Sequence, residues 1–422
     1  MSSTHLGSPA TAADEAVALL RTTGAIRERA GQLLARARDG RSAWFEVDDG
    51  ALGAAADEVV AAIRQRHPRL PVPLHSRWRH FEAGGVDRQG ELERLLAQLP
   101  PLGRARAMID LTVVSVLLGT GAGPHWSYSD AATGQAYTRS EGLAVASFHA
   151  FASGLFSSDR EHPMQADARG LRALVRDHLA AAFQVTEANP MPGFDDRVIL
   201  LRRLGEVMQE APEMFGEDGR PCGLFDVMIA PFGAAVSPTA AVAAHDILSQ
   251  VLGSLAPIWP ASNFIADLPL GDCWRHPAIH GEGLSDGWMP LHRMSLWLTC
   301  SLVEAFERAG VRVHHLDALT APADGRNGGL VLDSGLLRLR DQDAARPVWH
   351  PGDEIIVEWR ALTVALLDEV AEAVRGRLHL APQQLPLACV LESGSWAAGR
   401  ELALRRRGGA APLQVAGDGT LL

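Results

Sequence analysis

Polar side chains that could do chemistry are concentrated in residues 317–330, DALTAPADGRNGGL. This stretch holds two carboxylates, Asp317 and Asp324, together with Arg326 and Asn327. A carboxylate beside a guanidinium can stabilise developing positive charge and can hold an anionic substrate. The proline and glycine content predicts a loop, and loops between rigid elements often carry catalytic residues. The alternative is a simple turn, because Asp-Gly is a common turn dipeptide.

A second group of candidates opens the helix predicted for residues 355–375. On a helical wheel, Arg360 borders the apolar arc. Glu358 lies nearer the polar edge, where an acid in the first turn is favourable without any function. A guanidinium at a buried edge usually has a carboxylate or phosphate partner. Arg360 is therefore predicted to hold such an anion, and Glu358 is a candidate catalytic acid.

Asp110 stands inside the apolar helix predicted for residues 101–118. An ionised carboxylate on a buried helix is costly unless it is paired or hydrogen-bonded, so Asp110 is a candidate binding residue. The alternative is an early-helix carboxylate that the helix dipole favours. The GTGAG sequence that follows imitates a dinucleotide-binding turn, but it lacks the strand before and the helix after that this motif needs. No nucleotide cofactor is therefore expected.

The segment WSYSDAATGQAYTRSE, residues 126–141, combines aromatic and charged side chains. Trp126 and Tyr128 precede Arg139 and Glu141, which stand at a predicted helix start. These four residues are predicted to line a polar substrate pocket. A capped helix with a surface loop is the alternative.

All 39 basic residues are arginine, because the chain contains no lysine. This excludes a Schiff base on a lysine side chain and a P-loop with its phosphate-binding lysine. It also leaves arginine as the only strong side-chain cation for phosphate or carboxylate. The formal net charge of −11, without an arginine-rich stripe, argues against general nucleic-acid binding.

Metal-ligating residues show no complete pattern. The four cysteines are far apart, which argues against a disulfide framework and a four-thiolate zinc site. Cys273, His276 and His280 have ligand-like spacing, but Pro277 interrupts any helical face and no fourth ligand is nearby. The sequence therefore predicts neither a metal nor another cofactor.

The 422 residues have the composition of a soluble globular protein, with 47% hydrophobic and 21% charged residues. No run approaches the ~18 apolar residues that span a bilayer. The N-terminal residues lack the basic-then-apolar pattern of a signal peptide. We therefore expect a cytoplasmic protein without membrane contacts.

The elements that position the candidate residues are mainly α-helical. Helical spacing of apolar residues starts near Ser140 and also covers residues 12–38, 51–66, 101–118, 168–183, 197–208, 239–252, 291–309, 355–375 and 393–407. Residues 328–340 instead predict a β-hairpin that turns at Asp333-Ser334-Gly335. The pattern favours an N-terminal helical lobe, residues 1–100, and a main helical domain, residues 101–422, or one continuous domain.

Several long blocks resemble the uracil catabolism protein 4 family. They are WSYSDAATGQAYTRSEGLAVASF, PLHRMSLWLTCSL, DALTAPADGRNGGLVLDSG, VEWRALTVALLDE and LESGSWAAGR. The resemblance runs from about His75 to Gly419. It implies a place in uracil degradation by way of a nucleotide, a ribosylurea-type intermediate and the release of urea.

The pattern D-x-L-T-x-x-A-D-x-R, which starts at Asp317, is also similar to queuosine 5′-phosphate N-glycosidases. That resemblance implies a helical fold like helix-hairpin-helix DNA glycosylases, hydrolysis of an N-ribosidic bond, and Asp324 as the catalytic carboxylate. The chain departs from this pattern at Gly325, where an aromatic stands, and at residues 327–329, where Val-Pro-Gln stands. Both changes affect base recognition and suit a smaller leaving group than queuine.

These resemblances favour an N-ribosyl hydrolase that releases urea from a ribosylurea-like, 5′-phosphorylated substrate. Asp324 would stabilise the oxocarbenium-like state or activate water, and Asp317 or Glu358 would assist the leaving group. Arg326 and Arg360 would orient the carboxylates or the phosphate. The alternatives are an amidohydrolase of the same pathway, which would normally need a metal, and a non-catalytic partner of other pathway enzymes.

Overall fold

Helices make up most of the chain in the computed structural model, which describes residues 9–69, 71–232, 240–259 and 262–417. The mainly α-helical prediction is thereby confirmed. Within the described residues the α-helices are α1 (Pro9–Leu20), α2 (Thr23–Arg38), α3 (Leu52–Arg66), α4 (Arg77–Phe81), α5 (Arg88–Leu95), α6 (Pro101–Leu117), α7 (Arg139–Ala152), α8 (Ala168–Arg172), α9 (Arg176–Ala182), α10 (Phe194–Glu210), α11 (Pro212–Phe215), α12 (Gly223–Ile229), α13 (Ala244–Leu255), α14 (Arg293–Arg308), α15 (Gly325–Asp333), α16 (Glu354–Leu378), α17 (Leu387–Val390) and α18 (Trp396–Arg407).

The strands are short and pair two by two. They are β1 (Phe45–Val47), β2 (Ser127–Asp130), β3 (Gln135–Thr138), β4 (Ala241–Ala243), β5 (Phe264–Ile265), β6 (Leu268–Pro269), β7 (Cys273–Arg275), β8 (Trp288–Pro290), β9 (Arg312–His314), β10 (Leu337–Leu339), β11 (Val348–Trp349) and β12 (Gln414–Val415). The pairs β1–β10, β2–β3, β5–β6 and β7–β8 are antiparallel, whereas β4–β9 and β11–β12 are parallel. Such small sheets fasten chain segments together and leave the core to helices.

Most predicted helices are present, but several differ from their predicted extent. The stretch predicted as helical over residues 12–38 is divided into α1 and α2. The helix predicted for residues 239–252 begins at Ala244, because the residues of β4 pair with β9 instead. Residue 239 lies outside the described residues. The helix predicted for residues 168–183 is divided into α8 and α9.

The hairpin predicted for residues 328–340 is wrong. Residues 325–333 form α15, and β10 pairs with β1 from the N-terminal part of the chain. Gly335, with φ +82, follows this helix end and is not the turn of a hairpin. The apolar run of Leu330 and Val331 is buried on a helix. A run this short fits a helix as well as a strand, and only packing decides between them.

Contacts divide the chain into two compact units. The first contains the described residues of 1–73, 260–293 and 317–416, and the second contains those of 74–259, 294–316 and 417. Neither unit coincides with the sequence-based boundary near residue 100. Both units are assembled from separate stretches of chain.

The core of the first unit is built around α16. This helix packs against α2 and α3, and α15 packs against α18. Ile26, Leu33, Val59, Leu362 and Leu366 are fully buried there. Burial of large aliphatic side chains contributes about 1.5–3 kcal/mol each, which makes α16 a rigid support for its first-turn residues.

The second unit is built around the apolar helix α6, which packs against α7 and α10. Ile109, Leu111, Val113, Leu143 and Phe151 are fully buried in this unit. Among the described residues, no helix combines the length and the apolar character required to cross a bilayer.

Gly399 allows α18 to lie directly against the backbone of α15. A Cβ at this position would overlap the carbonyl oxygen of Arg326. We expect Gly399→Ala to lower the free energy of unfolding by about 1–3 kcal/mol, because one helix has to move away from the other. Urea denaturation followed by circular dichroism measures this loss.

Gly376→Ala is the matched control. Gly376 lies on the exposed side of α16, with no atom in the way of a Cβ. Replacing an exposed helical glycine with alanine should stabilise by up to about 1 kcal/mol. Equal stability of Gly399→Ala and the unaltered chain would show that the contact between α15 and α18 relaxes without cost.

Candidate functional site

Asp324 caps the N-terminus of α15. Its Oδ1 accepts hydrogen bonds from the backbone N–H groups of Arg326 at 2.8 Å and Asn327 at 2.9 Å, and its Oδ2 accepts one from the Asn327 side-chain amide at 3.0 Å. A carboxylate is also favoured there by the helix dipole. Asp324 is half-buried. It is therefore a fixed negative charge that retains access to solvent.

The side chains that follow Asp324 are anchored to the segment before α18. The Asn327 side chain is buried, and its Oδ1 accepts a hydrogen bond from Ser395 Oγ at 2.8 Å. The Arg326 guanidinium stacks on Trp396, 3.7 Å from the ring centroid, in a cation–π arrangement. Ser395 ends a π-helical turn, Leu391–Ser395, a feature that is frequent at functional sites. The candidate residues at the start of α15 are thus held on two sides.

Arg360 has the carboxylate partner that its position predicted. Its Nη1 and Nη2 bind the two carboxylate oxygens of Asp272 at 2.7 Å each, and both side chains are nearly fully buried. Its Nε donates to the carbonyl oxygen of Ala323 at 3.3 Å. All three nitrogens of the guanidinium are therefore engaged within the protein. Arg360 thereby holds the residue that precedes Asp324.

The pKa of the Asp272 carboxyl lies well below its usual range. Burial alone would raise this pKa, but the Arg360 guanidinium, the backbone N–H of Arg293 and the indole N–H of Trp274 outweigh it. The backbone carbonyl oxygen of Asp272 also accepts hydrogen bonds from the backbone N–H groups of Leu291 and His292. His292 has a positive φ of 44°, a strained conformation for a residue other than glycine. Asp272 thus fixes the chain that leads into α14.

Arg293 is a second cation in this region. Burial lowers the pKa of its guanidinium, and the positive charge of Arg360 lowers it further. The carboxylates of Asp324 and Asp272 partly oppose this shift. The negative charge of Asp324 is therefore opposed by a partly buried arginine that sequence reasoning did not single out. Its position in the block PLHRMSLWLTCSL was the available signal.

Glu358 lies on a different side of α16 from Arg360. Residues two apart on a helix project about 200° apart, and Glu358 faces Arg36 and His276 instead. The Glu358 side chain is fully buried. Its Oε2 is 3.5 Å from Arg36 Nη1 and 3.4 Å from His276 Nε2, both longer than a good hydrogen bond. The structure therefore separates the two candidate residues that open this helix.

Asp317 is an exposed residue in the 3₁₀ turn Leu316–Ala318. Its carbonyl oxygen accepts a hydrogen bond from Arg27, which also binds the carbonyl oxygens of Ala318 and Leu319. Burial lowers the pKa of Arg375, and the carboxylates of Asp368, Glu372 and Asp317 partly oppose that shift. These contacts differ from those of Asp324, so the two aspartates of the predicted loop have different surroundings.

Asp110, in the second unit, is paired as its position in an apolar helix required. It is fully buried in the middle of α6. Its Oδ2 accepts hydrogen bonds from Arg220, at 2.6 Å from Nη2, and from the backbone N–H of Ala166, and its Oδ1 accepts one from the Cys222 N–H. Burial raises the pKa of Asp110 despite these donors. Its position ten residues into α6 excludes the early-helix alternative.

The predicted pocket residues of the second unit lie around the β2–β3 hairpin. Trp126 is fully buried and donates from its indole N–H to the carbonyl oxygen of Phe183 at 2.9 Å. Tyr128 is buried and stacks on His149. Arg139, with φ 56°, begins α7, and the carboxylate of Glu141 two residues later is half-buried. The sequence predicted the helix start at Arg139 and Glu141, but it did not predict the β2–β3 hairpin that precedes this helix.

Glu141 also acts on a buried cation of the second unit. Burial lowers the pKa of Arg77 to about 9, and the Glu141 carboxylate partly opposes that shift. The Arg77 guanidinium lies 5.4 Å from the ring centroid of Trp297, and its Nε donates to Ser115 Oγ at 2.7 Å. Arg77 is the first residue of the short helix α4.

The first unit thus brings Asp324, Asn327 and Arg360 together with two residues that sequence reasoning missed, Asp272 and Arg293. A carboxylate fixed by two backbone N–H groups and one amide is suited to electrostatic stabilisation of a cationic centre, or to accepting a proton from water. Neither role requires movement of Asp324.

Comparison with known proteins places the chain among relatives of nearly equal length. Protein urg3 of Schizosaccharomyces pombe is 37% identical over 415 residues, which cover 96% of this chain and 99% of that protein. Uracil catabolism protein 4 of Lachancea kluyveri is 31% identical over 442 residues, which cover 97% of this chain and 99% of that protein. The family described as "Protein of unknown function (DUF1688)" matches residues 19–422. The chain therefore belongs to the DUF1688 family, the one to which the resemblance in its sequence blocks pointed.

Proposed function

We propose that this protein is an enzyme of uracil catabolism that hydrolyses the N-ribosidic bond of a ribosylurea-like compound, probed best as its 5′-phosphate. The observation that carries the proposal is the fixed, solvent-accessible carboxylate of Asp324. Its pattern D-x-L-T-x-x-A-D-x-R is similar to that of N-glycosidases that act on a nucleotide. The name of the Lachancea kluyveri relative supports the pathway.

The main requirement of this reaction is a negative charge held in a fixed position near C1′ of the sugar. As the bond from C1′ to the urea nitrogen breaks, the sugar develops oxocarbenium character and the nitrogen takes the electron pair. Water adds to C1′ and loses a proton, and the leaving nitrogen gains one, so that ribose and urea form in equal amounts. The carboxylate of Asp324 would stabilise the cationic sugar or take the proton from water.

The surroundings of Asp324 support this role. Two backbone N–H groups and the Asn327 amide hold its oxygens in place. Arg360 fixes the preceding carbonyl group, and Arg293 opposes the charge from nearby. A preorganised group needs no reorganisation when the charge develops, and this is where electrostatic catalysis gains most.

Asp317 and Glu358 are the two candidates for the acid that protonates the leaving nitrogen. Asp317 is exposed, so it is available to a substrate, whereas Glu358 is fully buried between Arg36 and His276. A buried carboxylate without a hydrogen-bond donor is poorly placed to touch a substrate. Asp317 is therefore the stronger of the two candidates.

The test incubates the full chain with ribosylurea and with its 5′-phosphate, and measures free urea and reducing sugar. We expect both products at a ratio of one to one, with faster turnover of the phosphate. Release of ammonia without reducing sugar would contradict the glycosidase and favour an amidohydrolase. If neither compound yields a product, the result would favour a non-catalytic role in the pathway.

A further inference from the structure

Three possible metal ligands meet beside α16 in the first unit. One ring nitrogen of His276 and one carboxylate oxygen each of Glu354 and Glu358 lie within 4.8 Å of one another. Nε2 of His276 is 3.4 Å from Oε2 of Glu358. Two atoms that bind a tetrahedral ion at about 2.1 Å are themselves roughly 3.4 Å apart. The His276–Glu358 separation therefore already matches one edge of a tetrahedral site.

Two of these groups are buried and have polar atoms that no hydrogen bond among the described residues satisfies. The side chains of His276 and Glu358 are fully buried. Within the part of the chain that the structure describes, neither Oε1 nor Oε2 of Glu358 has a hydrogen-bond partner, and neither does Nε2 of His276. Burying a carboxylate in this state is costly. An ion between the three groups would satisfy them, and it needs no more room than the gap between its ligands.

Rigid elements position the ligands. Glu354 and Glu358 are four residues apart in the first turns of α16, so they lie on one face. His276 directly follows β7, which pairs with β8. Glu354 is half-buried, which offers a route from solvent to the buried Glu358.

The charged groups near the cluster favour a bound cation. Arg36 Nη1 is 3.5 Å from Glu358 Oε2 and offsets one of the two carboxylates. The other carboxylate has no such partner in the cluster. The cluster therefore contains two carboxyl groups but only one guanidinium group, a composition that favours an added cation.

Coordination of an ion by His276 requires the ring to lose a proton and a hydrogen bond. The backbone N–H of Ala278 donates to Nδ1 of His276 at 3.1 Å, so the neutral ring carries its proton on Nε2. An ion at Nε2 must displace that proton, and the Ala278 contact must give way. The two carboxylates therefore supply most of the binding free energy, and His276 completes the set.

We propose that His276, Glu354 and Glu358 form a binding site for a divalent metal ion. A mixed imidazole and carboxylate set suits Zn²⁺ or Mn²⁺ better than Ca²⁺. Three protein ligands leave a coordination position for water, which is the arrangement of catalytic rather than structural zinc sites. This site differs from the metal-free expectation of the sequence. It does not depend on Asp324, since none of its residues holds that carboxylate. Its only overlap with the glycosidase proposal is Glu358, the weaker candidate for the leaving-group acid.

The experiment measures metal binding by the full chain. The protein is stripped with a chelator, dialysed separately against Zn²⁺, Mn²⁺ and Ca²⁺, and its metal content is determined by mass spectrometry. We expect one Zn²⁺ or Mn²⁺ ion per chain and little Ca²⁺. Glu354→Gln and His276→Gln should each weaken binding by about 10-fold or more.

Glu354→Gln is the decisive variant, because Glu354 is half-buried and its loss should leave the fold intact. Glu369→Gln is the matched control, since Glu369 lies on the same helix and pairs with Arg38. Co²⁺ absorption in the visible range gives a second readout of the ligand set. Wild-type protein that takes up no ion, or Glu354→Gln that binds as tightly as wild type, would overturn the proposal and leave only a buried ion-pair cluster.

Discussion

Asp324→Asn is expected to lower the rate of urea release by about 10²–10⁴-fold while the protein remains folded. The substitution removes the negative charge but keeps a side chain that caps helices as well as aspartate does. The new amide nitrogen would face the amide of Asn327, whose bond to Asp324 Oδ2 is lost. That loss costs about 1–2 kcal/mol of stability. The rate of urea release is measured with the ribosylurea substrate, and stability by urea denaturation.

Asp87→Asn is the control for this variant. Asp87 is an exposed aspartate that caps α5 by accepting from the Gly90 N–H, and it should keep full activity. Normal turnover by Asp324→Asn would remove Asp324 from the mechanism. A parallel fall in activity and stability in both variants would show that capping, rather than charge, was being measured.

Asp272→Asn is expected to lower the free energy of unfolding by about 3–5 kcal/mol, because it leaves the Arg360 guanidinium buried without its anion. The Asp272 side chain also accepts hydrogen bonds from Trp274 Nε1 and the Arg293 backbone N–H, and an amide cannot replace all of these acceptors. Chemical denaturation at neutral pH measures the loss. The same change should lower activity, since Arg360 holds the carbonyl group of Ala323.

Asp57→Asn is the matched control for the buried pair. Asp57 pairs with Arg377 in the same unit, but its side chain is 69% exposed. Removing an exposed pair should cost about 1 kcal/mol or less. Equal effects of the two variants would show that the Asp272–Arg360 pair contributes no more than a surface ion pair.

The contribution of Asp272 to stability should disappear in acid. Its pKa in the folded protein lies below the value of about 3.9 in an unfolded chain. The stabilisation is therefore complete above about pH 4 and is lost as the pH falls towards the folded pKa. The difference in unfolding free energy between wild type and Asp272→Asn should narrow as the pH falls from about 4 to roughly 2. A constant difference across this range would argue against ionisation of Asp272 as its cause.

The part of the candidate site that depends on neighbours in sequence was predictable. Asp324, Arg326 and Asn327 lie within four residues, and a cap forms from the backbone of the next turn. The burial of Arg360 could also be read from the helical wheel, as could its need for an anion. Even there the local pattern failed on one point, because residues 325–333 are helical and not a loop and hairpin.

The remaining features depend on partners far away in the chain. Asp272 is 88 residues from Arg360, and no local pattern marks it as the partner. In the sequence, His276 has ligand-like spacing with Cys273 and His280, but the structure places it beside Glu358 instead. Glu358 and Arg360, adjacent candidates in sequence, face different groups because a helix turns about 200° over two residues.

The sequence by itself determined the helical class, the family and the short polar segment from Asp324 to Asn327, since periodicity, family-like blocks and the clustering of polar residues are properties of neighbouring residues. Only the tertiary structure decided that the arginine of α16 binds Asp272, that β10 pairs with the N-terminal β1, and that Glu358 lies with His276 and Glu354. These contacts form when distant segments pack, and burial then selects among several carboxylates and strands that look equivalent in sequence.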